Sequence, residues 1–194
     1  MDIKTFHGGV HPAGNKALSQ DCPLTALLPK GELVYMTNQH IGKPATPVVK
    51  KGDHVLAGQL IAEAGGFVSA NIYASVSGTV KAVEPRKNAS GGSAMAIVVE
   101  NDGEYTLAEG IGQETDPKEL TNQDILSRIQ KAGIVGMGGA GFPTHVKLTV
   151  KEPEKIDYII ANGAECEPYI TCDDQLMRSH PAEIAEGLEI LLRL

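Results

Sequence analysis

Along the first hundred residues, apolar positions come in short runs cut by turn chemistry at Pro29-Lys30-Gly31, Lys51-Gly52-Asp53, Gly65-Gly66, Ser77-Gly78, Gly91-Gly92 and Asp102-Gly103. Short runs rich in Val and Ile, bounded by Gly, Pro and Asp, predict strands. The candidates are Leu33–Met36, Pro47–Val49, His54–Val55, Leu60–Ala64, Ile72–Ala74, Thr79–Val83 and Ala94–Val99. Turns this frequent, with no helical period before residue 115, predict a sandwich or small barrel. The pattern then changes. Thr121 with Asp124 three residues on is a capping pair, Ile125, Leu126 and Ile129 follow at helical spacing, and Gly133 stands where a left-handed cap belongs. A helix is predicted at about 121–132. Ile156–Ala161, apolar except for Asp157, predicts a buried strand that leaves at Asn162-Gly163. A last helix is expected from near Ser179, with Pro181 in its first turn and Ile184, Leu188, Leu191 and Leu192 as its apolar stripe. The sequence stops inside that stripe, so the expectation is a fragment with an artificial C-terminal boundary. The expected organisation is a β-rich domain at 1–114 and an α/β domain, truncated at its C-terminus, at 115–194.

Composition narrows the class. Of 194 residues, 42% are hydrophobic and 21% charged, which excludes disorder as a description of the whole chain. Seventeen basic residues against 24 acidic ones give a net charge of −7, the wrong sign for a general phosphate-backbone binder. No apolar run approaches the roughly 20 residues of a membrane-spanning helix. Met1-Asp2-Ile3-Lys4 lacks the layout of a signal peptide. Three cysteines without a close pair suit a reducing compartment. Cys22 is expected to be a small buried apolar residue, and Cys166 and Cys172 to have no metal role. His7, His11 and His40 lack metal-site spacing and are expected to be turn or surface histidines.

The 22 glycines are unevenly spread, and Gly133, Gly136, Gly138, Gly139 and Gly141 form the densest group. Such a loop lets backbone N–H groups turn inward and approach an anion that side chains would keep away. Gly136, Gly138 and Gly141 satisfy G-x-G-x-x-G, but that fingerprint needs a strand before it and a long helix after it. Here a helix precedes, and Pro153 limits any helix after the loop to about ten residues. The ordinary dinucleotide-binding fold therefore fails on context. A flexible hinge is the competing reading, but hinges are polar and Ser-rich, whereas this loop is apolar and stiffened by Phe142-Pro143. Lys147 offers a fixed positive charge for a phosphate, or a solvated surface lysine. The second cluster, Asn162-Gly-Ala-Glu165-Cys-Glu167-Pro168, comes after the Ile156–Ala161 segment, where ligand-contacting residues sit in α/β proteins. Glu165 and Glu167 alternate along a stretch that Pro168 keeps extended, so they are expected to point to opposite sides. Solvated acids and a turn asparagine are the plain alternative.

Gly136–Phe142 with Pro143-Thr144 and Lys147, followed by Asn162-x-x-Glu165-x-Glu167-Pro168, resembles the flavin- and NADH-binding subunit of respiratory complex I. The closer resemblance, over essentially the whole chain, is to the C subunit of Rnf-type electron transport complexes, the ferredoxin:NAD oxidoreductases. Phe6-His7-Gly8-Gly9-Val10-His11-Pro12 and Gln39-His40-Ile41-Gly42 carry it as well. Val48–Ile61 and Ala74–Val80 look like the two halves of a biotinyl/lipoyl-type barrel-sandwich hybrid. A carrier would present a lysine at the hairpin tip between them; this chain has Gly65-Gly66-Phe67-Val68-Ser69 there, so a structural or docking role is expected.

The resemblance implies an α/β fold in which this module precedes a partial Rossmann-like FMN- and NADH-binding domain. It implies that Gly136, Gly138, Gly139, Ala140 and Gly141 wrap the FMN ribityl-phosphate with Lys147 nearby. Phe142 would line the nicotinamide side, Asn162 and Glu165 would face the flavin, and Glu167 would help hold NADH. A valine at Gly139 is then expected to abolish FMN binding. Complex I relatives carry an Asp before the first of these glutamates; Ala164 stands there instead, so nucleotide affinity is expected to differ. Two 4Fe-4S clusters belong to a C-terminal region whose cysteine runs this sequence lacks. The implied protein is a peripheral component on the cytoplasmic face of a membrane complex, linking NAD(H) to ferredoxin through other subunits and coupled to ion transport. Hydride transfer to the flavin needs no catalytic acid or nucleophile from the chain. Two rival readings stand beside it: a flavin-dependent cobalamin reductase of the same modules, and a non-catalytic assembly module.

Overall fold

The strand-rich part of the chain is organised by one long hairpin. In a computed structural model that describes Gly8, Val10 and residues 12–194, β1 spans Glu32–Met36, β2 Thr46–Pro47, β3 His54–Val55, β4 Leu60–Glu63, β5 Ile72–Tyr73, β6 Gly78–Lys87 and β7 Ser93–Asn101. All sheet pairings are antiparallel. One sheet has the order β1-β7-β6-β3 and the other β2-β4-β5. Val55, Ile61, Val76, Val80, Ile97 and Val99, all at 0% exposure, form the core with Tyr35, Ile72 and Ala74. Each such aliphatic side chain contributes about 1.5–3 kcal/mol by leaving water. The β6–β7 hairpin runs further than predicted, to Pro85↔Met95 and Lys87↔Ser93. Proline fits there because β3 pairs with β6 only at Thr79 and Gly78, leaving the far side of Pro85 free of any partner strand.

Helix α1 covers Asn122–Lys131, with the expected capping box between Thr121 and Asp124. Gly133 takes φ +67°, the left-handed conformation expected after that helix. A short α2, Thr144–Leu148, comes after the glycine loop. Helix α3, Cys172–Ser179, has no counterpart among the predicted elements, and α4, Pro181–Leu191, begins at the expected proline. The described residues form two compact units, Leu27–Lys155 with Leu194, and the described part of Met1–Ala26 with Ile156–Arg193.

Two expectations are corrected and one is refined. Ile156–Ala161 has no regular secondary structure and no strand pairing, and Ile156, Tyr158 and Ile160 are 51%, 84% and 85% exposed. A strand exists through its ladder, and every strand among the described residues lies between 32 and 101. Cys22 is exposed, because it sits in the turn after a 3-10 segment, Lys16–Leu18, with its thiol near the Leu18 carbonyl. His40, expected as a turn or surface histidine, lies in the bend after β1 and is buried there. Its ring accepts the Ala70 N–H at Nε2 (3.2 Å) and donates from Nδ1 to its neighbour Ile41's carbonyl oxygen (3.1 Å). His7 and His11, with Phe6 and Gly9, lie outside the described residues.

Candidate functional site

The glycine-rich segment is itself a small hairpin. The Gly136 N–H donates to the Phe142 carbonyl (2.8 Å), the Thr144 N–H donates to the Ile134 carbonyl (3.0 Å), and Val135 bridges Pro143. Its arms are fixed by close packing. A Cβ on Gly133 would collide with the Asn71 carbonyl oxygen, and one on Gly141 would lie 2.8 Å from the Gln39 carbonyl oxygen and 3.0 Å from His40 Cα. Gly141 also holds φ +61°. Beside it, Ala140 accepts the Ile41 N–H at 3.1 Å.

The tip is different. A Cβ on Gly138 or Gly139 would meet nothing within 4 Å, and one on Gly136 would meet only Phe142 backbone, at 3.7 Å or more. Gly136 and Gly138 do not have positive φ, so neither packing nor backbone conformation explains them, whereas Gly139 has φ +153°. Among the described residues, the N–H groups of Met137, Gly138, Gly139, Ala140 and Gly141 donate to no other protein group. Met137 is 96% exposed. Successive unspent amides beside side-chain-free backbone are what an anion such as a phosphate recognises. Phe142 is half-buried at the end of the tip, and Lys147 is exposed on α2. The residues thus fit a phosphorylated cofactor at the level of backbone donors and space.

The second cluster lies in the other unit and is held by its own contacts. Glu165 takes the Lys16 ammonium on one carboxylate oxygen (3.3 Å) and the Asp173 N–H, at the first turn of α3, on the other (2.7 Å). Burial pushes its pKa upward, but the Asp173 and Asp174 amides and the Lys16 ammonium together outweigh it and leave the carboxyl below its ordinary value. Lys16 also donates to the carbonyls of Glu167 (2.9 Å) and Ile170 (2.5 Å), which fixes the turn through Pro168. Glu165 is tucked in while Glu167 is exposed, and Asn162 is exposed with its side-chain oxygen accepting the Ala164 N–H (2.9 Å). Ligand-type atoms of Glu165, Cys172 and Asp173 lie within 4.8 Å of one another, but Glu165 already spends both oxygens on Lys16 and α3. Nothing in the local sequence points to Lys16, because its partners lie some 150 residues away, beyond any local spacing.

Among the described residues, no helix is long and apolar enough to cross a membrane. The profile of the RnfC barrel sandwich hybrid domain matches residues 4–104, and that of the Nuo51 FMN-binding domain matches residues 129–194. The chain is 44% identical over 192 residues to the C subunit of a proton-translocating ferredoxin:NAD(+) oxidoreductase complex of Clostridium ljungdahlii, covering 99% of this chain and 42% of that protein. It is likewise 44% identical over 196 residues to the C subunit of a Na(+)-translocating ferredoxin:NAD(+) oxidoreductase complex of Acetobacterium woodii, covering 100% of this chain and 44% of the relative. The C subunit of an ion-translocating oxidoreductase complex of Rhodobacter capsulatus is 42% identical, over 97% of this chain and 37% of its own length. The chain thus spans less than half the length of the curated relatives it matches. With a barrel-sandwich module followed by an FMN-binding domain, and relatives of one kind along its whole extent, the chain belongs to the family of Rnf complex C subunits.

Proposed function

We propose that this chain is the FMN- and NADH-binding part of an ion-translocating ferredoxin:NAD oxidoreductase, and that its glycine hairpin receives the FMN phosphate. The observation that carries the reading is the tip of that hairpin, where, among the described residues, nothing requires Gly136 and Gly138 and five successive N–H groups, Met137 to Gly141, are unspent. The N–H groups of Met137, Gly138, Gly139, Ala140 and Gly141 supply backbone donors at close range, Gly136 keeps the approach beside them free of a side chain, and a side chain on any tip glycine would hold the phosphate away. Lys147 adds a positive charge on α2, and Phe142 offers an apolar ring at the end of the tip. When bound, FMN supplies the chemistry of accepting a hydride and passing electrons on singly, while the chain's part is to bind, orient and set the local field. For Asn162, Glu165 and Glu167 the assignment to flavin and NADH rests on the sequence resemblance. The same resemblance supports functional domains at 1–114 and 115–194, 4Fe-4S clusters in the length that relatives carry beyond this match, and other complex subunits as partners. It also supports ferredoxin as an indirect partner and a peripheral position on the cytoplasmic face of the membrane.

The test uses the native full-length protein. FMN is titrated while its fluorescence is followed, and NADH is then added anaerobically. Binding followed by bleaching is expected. Gly138→Val is expected to weaken FMN binding at least about a hundredfold, since it removes several charge-assisted bonds at once. It is a cleaner probe than a valine at Gly139, whose positive φ adds strain of its own. A folded protein that binds no FMN overturns the proposal and leaves a non-catalytic assembly module.

A further inference from the structure

The hairpin tip at Gly65–Ser69 is where a carrier of this module type would present a modified lysine, and here it faces a different task. Its carbonyls are used as acceptors. Phe67's carbonyl oxygen accepts from His145 Nε2 at 3.1 Å, and the next carbonyl, Val68's, accepts the Lys43 N–H at 2.9 Å. His145 is 4% exposed, and its ring stands edge-on to the Phe67 ring at 5.9 Å and 90°. A carbonyl only accepts, so Nε2 carries the proton in this pair.

His145 sits on α2, immediately after the glycine hairpin, and Lys147 sits two residues further on. Two residues are about 200° of helical turn, so the buried histidine and the exposed lysine occupy opposite faces of the same short helix. Five residues are too few for a helix to hold its own geometry in water, so its position is set by what it is packed on. From α2 the link to the tip is short: the Thr144 N–H pairs with Ile134, Pro143 bridges Val135, and Gly141 lies against Gln39 and His40.

We propose that His145 is a positioning residue for the cofactor. By hydrogen-bonding the hairpin tip of the barrel-sandwich module, it fixes α2 and the second arm of the glycine hairpin, so that Lys147 and the free amides of the tip are set before the phosphate arrives. The position a carrier would use for its lysine becomes a brace. This rests on the FMN assignment above, and a preorganised anion site gains affinity because the ordering cost is met in folding.

The test compares His145→Phe, which keeps an aromatic ring against Phe67 but loses the donor, with His145→Gln, whose amide restores a donor near the Nε2 position. Both are made in the full-length protein, and FMN affinity and thermal unfolding are measured side by side. His145→Phe is expected to weaken FMN binding about tenfold or more, the size a lost buried hydrogen bond carries, and His145→Gln to recover most of it at an unchanged unfolding temperature. Wild-type FMN affinity in His145→Phe overturns the inference. So does an equal loss in both variants that simply tracks their unfolding temperatures, since that marks packing alone. If His145→Phe does not fold, His145→Asn replaces it, because its amide is one methylene too short to reach Phe67; equal affinity of the Asn and Gln variants overturns the inference. Failure of the wild-type protein to bind FMN sinks the cofactor assignment itself and is separately visible.

Discussion

Gly42 and Gly138 are both glycines, and they need opposite explanations. Gly42 holds φ +93° in the barrel-sandwich module, and a Cβ there would run into the Val68 carbonyl oxygen; Gly138, at the tip of the loop hairpin, has open space around it and no positive φ. The module's glycine is fixed by the protein's own backbone. The loop's glycine is fixed by nothing among the described residues, and that difference separates a structural glycine from one that keeps space for something else. The same contrast runs through the two regions. The module fills its interior with side chains at zero exposure, while the hairpin tip leaves its donors unspent and Met137 in solvent.

The largest effect that would break this comparison is on stability. Gly42→Ala combines a left-handed residue with a backbone collision, and is expected to cost roughly 3 kcal/mol or more. For a chain of this size that lowers the melting temperature by about 6–12 °C. Gly138→Ala is expected to change stability by less than about 0.5 kcal/mol. Calorimetric melting of both variants decides the matter; equal melting temperatures would erase the distinction.

A second, somewhat smaller contrast separates a filled core from an uncovered segment. Ile97, at 0% exposure, is surrounded by core residues, whereas Ile160 is 85% exposed. Ile97→Ala is expected to cost about 2–4 kcal/mol through lost burial and the cavity left behind, and Ile160→Ala close to nothing. Urea unfolding midpoints test this, and a comparable loss at Ile160 would mean that the segment is buried in the protein as it folds in solution.

These contrasts also show what is legible in the sequence. Strands announce themselves through Val- and Ile-rich runs between turn residues, and α1 through Thr121, Asp124 and Gly133, because those signals are local. Ile156–Ala161 misleads because an apolar run says only that a segment prefers company, and not whether a neighbouring strand is there to supply it. His40 and His145 are illegible for a related reason. A buried histidine is defined by the carbonyls and amides that meet its two nitrogens, at Ala70 and Ile41 for one and at Phe67 for the other, and the Ala70 and Phe67 partners lie far off in sequence. The glycine loop can be found from spacing, but which of its glycines serve the fold and which do not emerges only from what surrounds each one. Lys16, which neutralises Glu165, is hidden because its pairing spans almost the whole chain.

The smallest expected effect concerns charge within the module. Asp102 lies at the end of the β6–β7 ladder, accepting from Ser77 Oγ (2.7 Å), the Glu104 N–H (2.9 Å) and His54 Nε2 (3.2 Å). The Ser77 hydroxyl above all, then the Glu104 amide, hold its carboxyl below the ordinary value against a weaker opposing push from burial, with His54 adding to the lowering. A carboxylate whose folded pKa is depressed stabilises the fold above its unfolded value, near about 3.9, and loses that contribution as pH falls through the folded one. Asp102→Asn keeps the shape and removes the charge. The variant is therefore expected to be modestly less stable than wild type at pH 7, with the gap closing steadily below about pH 4 as the wild-type carboxylate takes up its proton. Urea midpoints at about pH 7, 4 and 2.5 measure that gap. A difference that stays constant with pH would show that Asp102 acts as a neutral hydrogen-bonding partner, and would leave the module's stability a matter of packing and backbone fit alone.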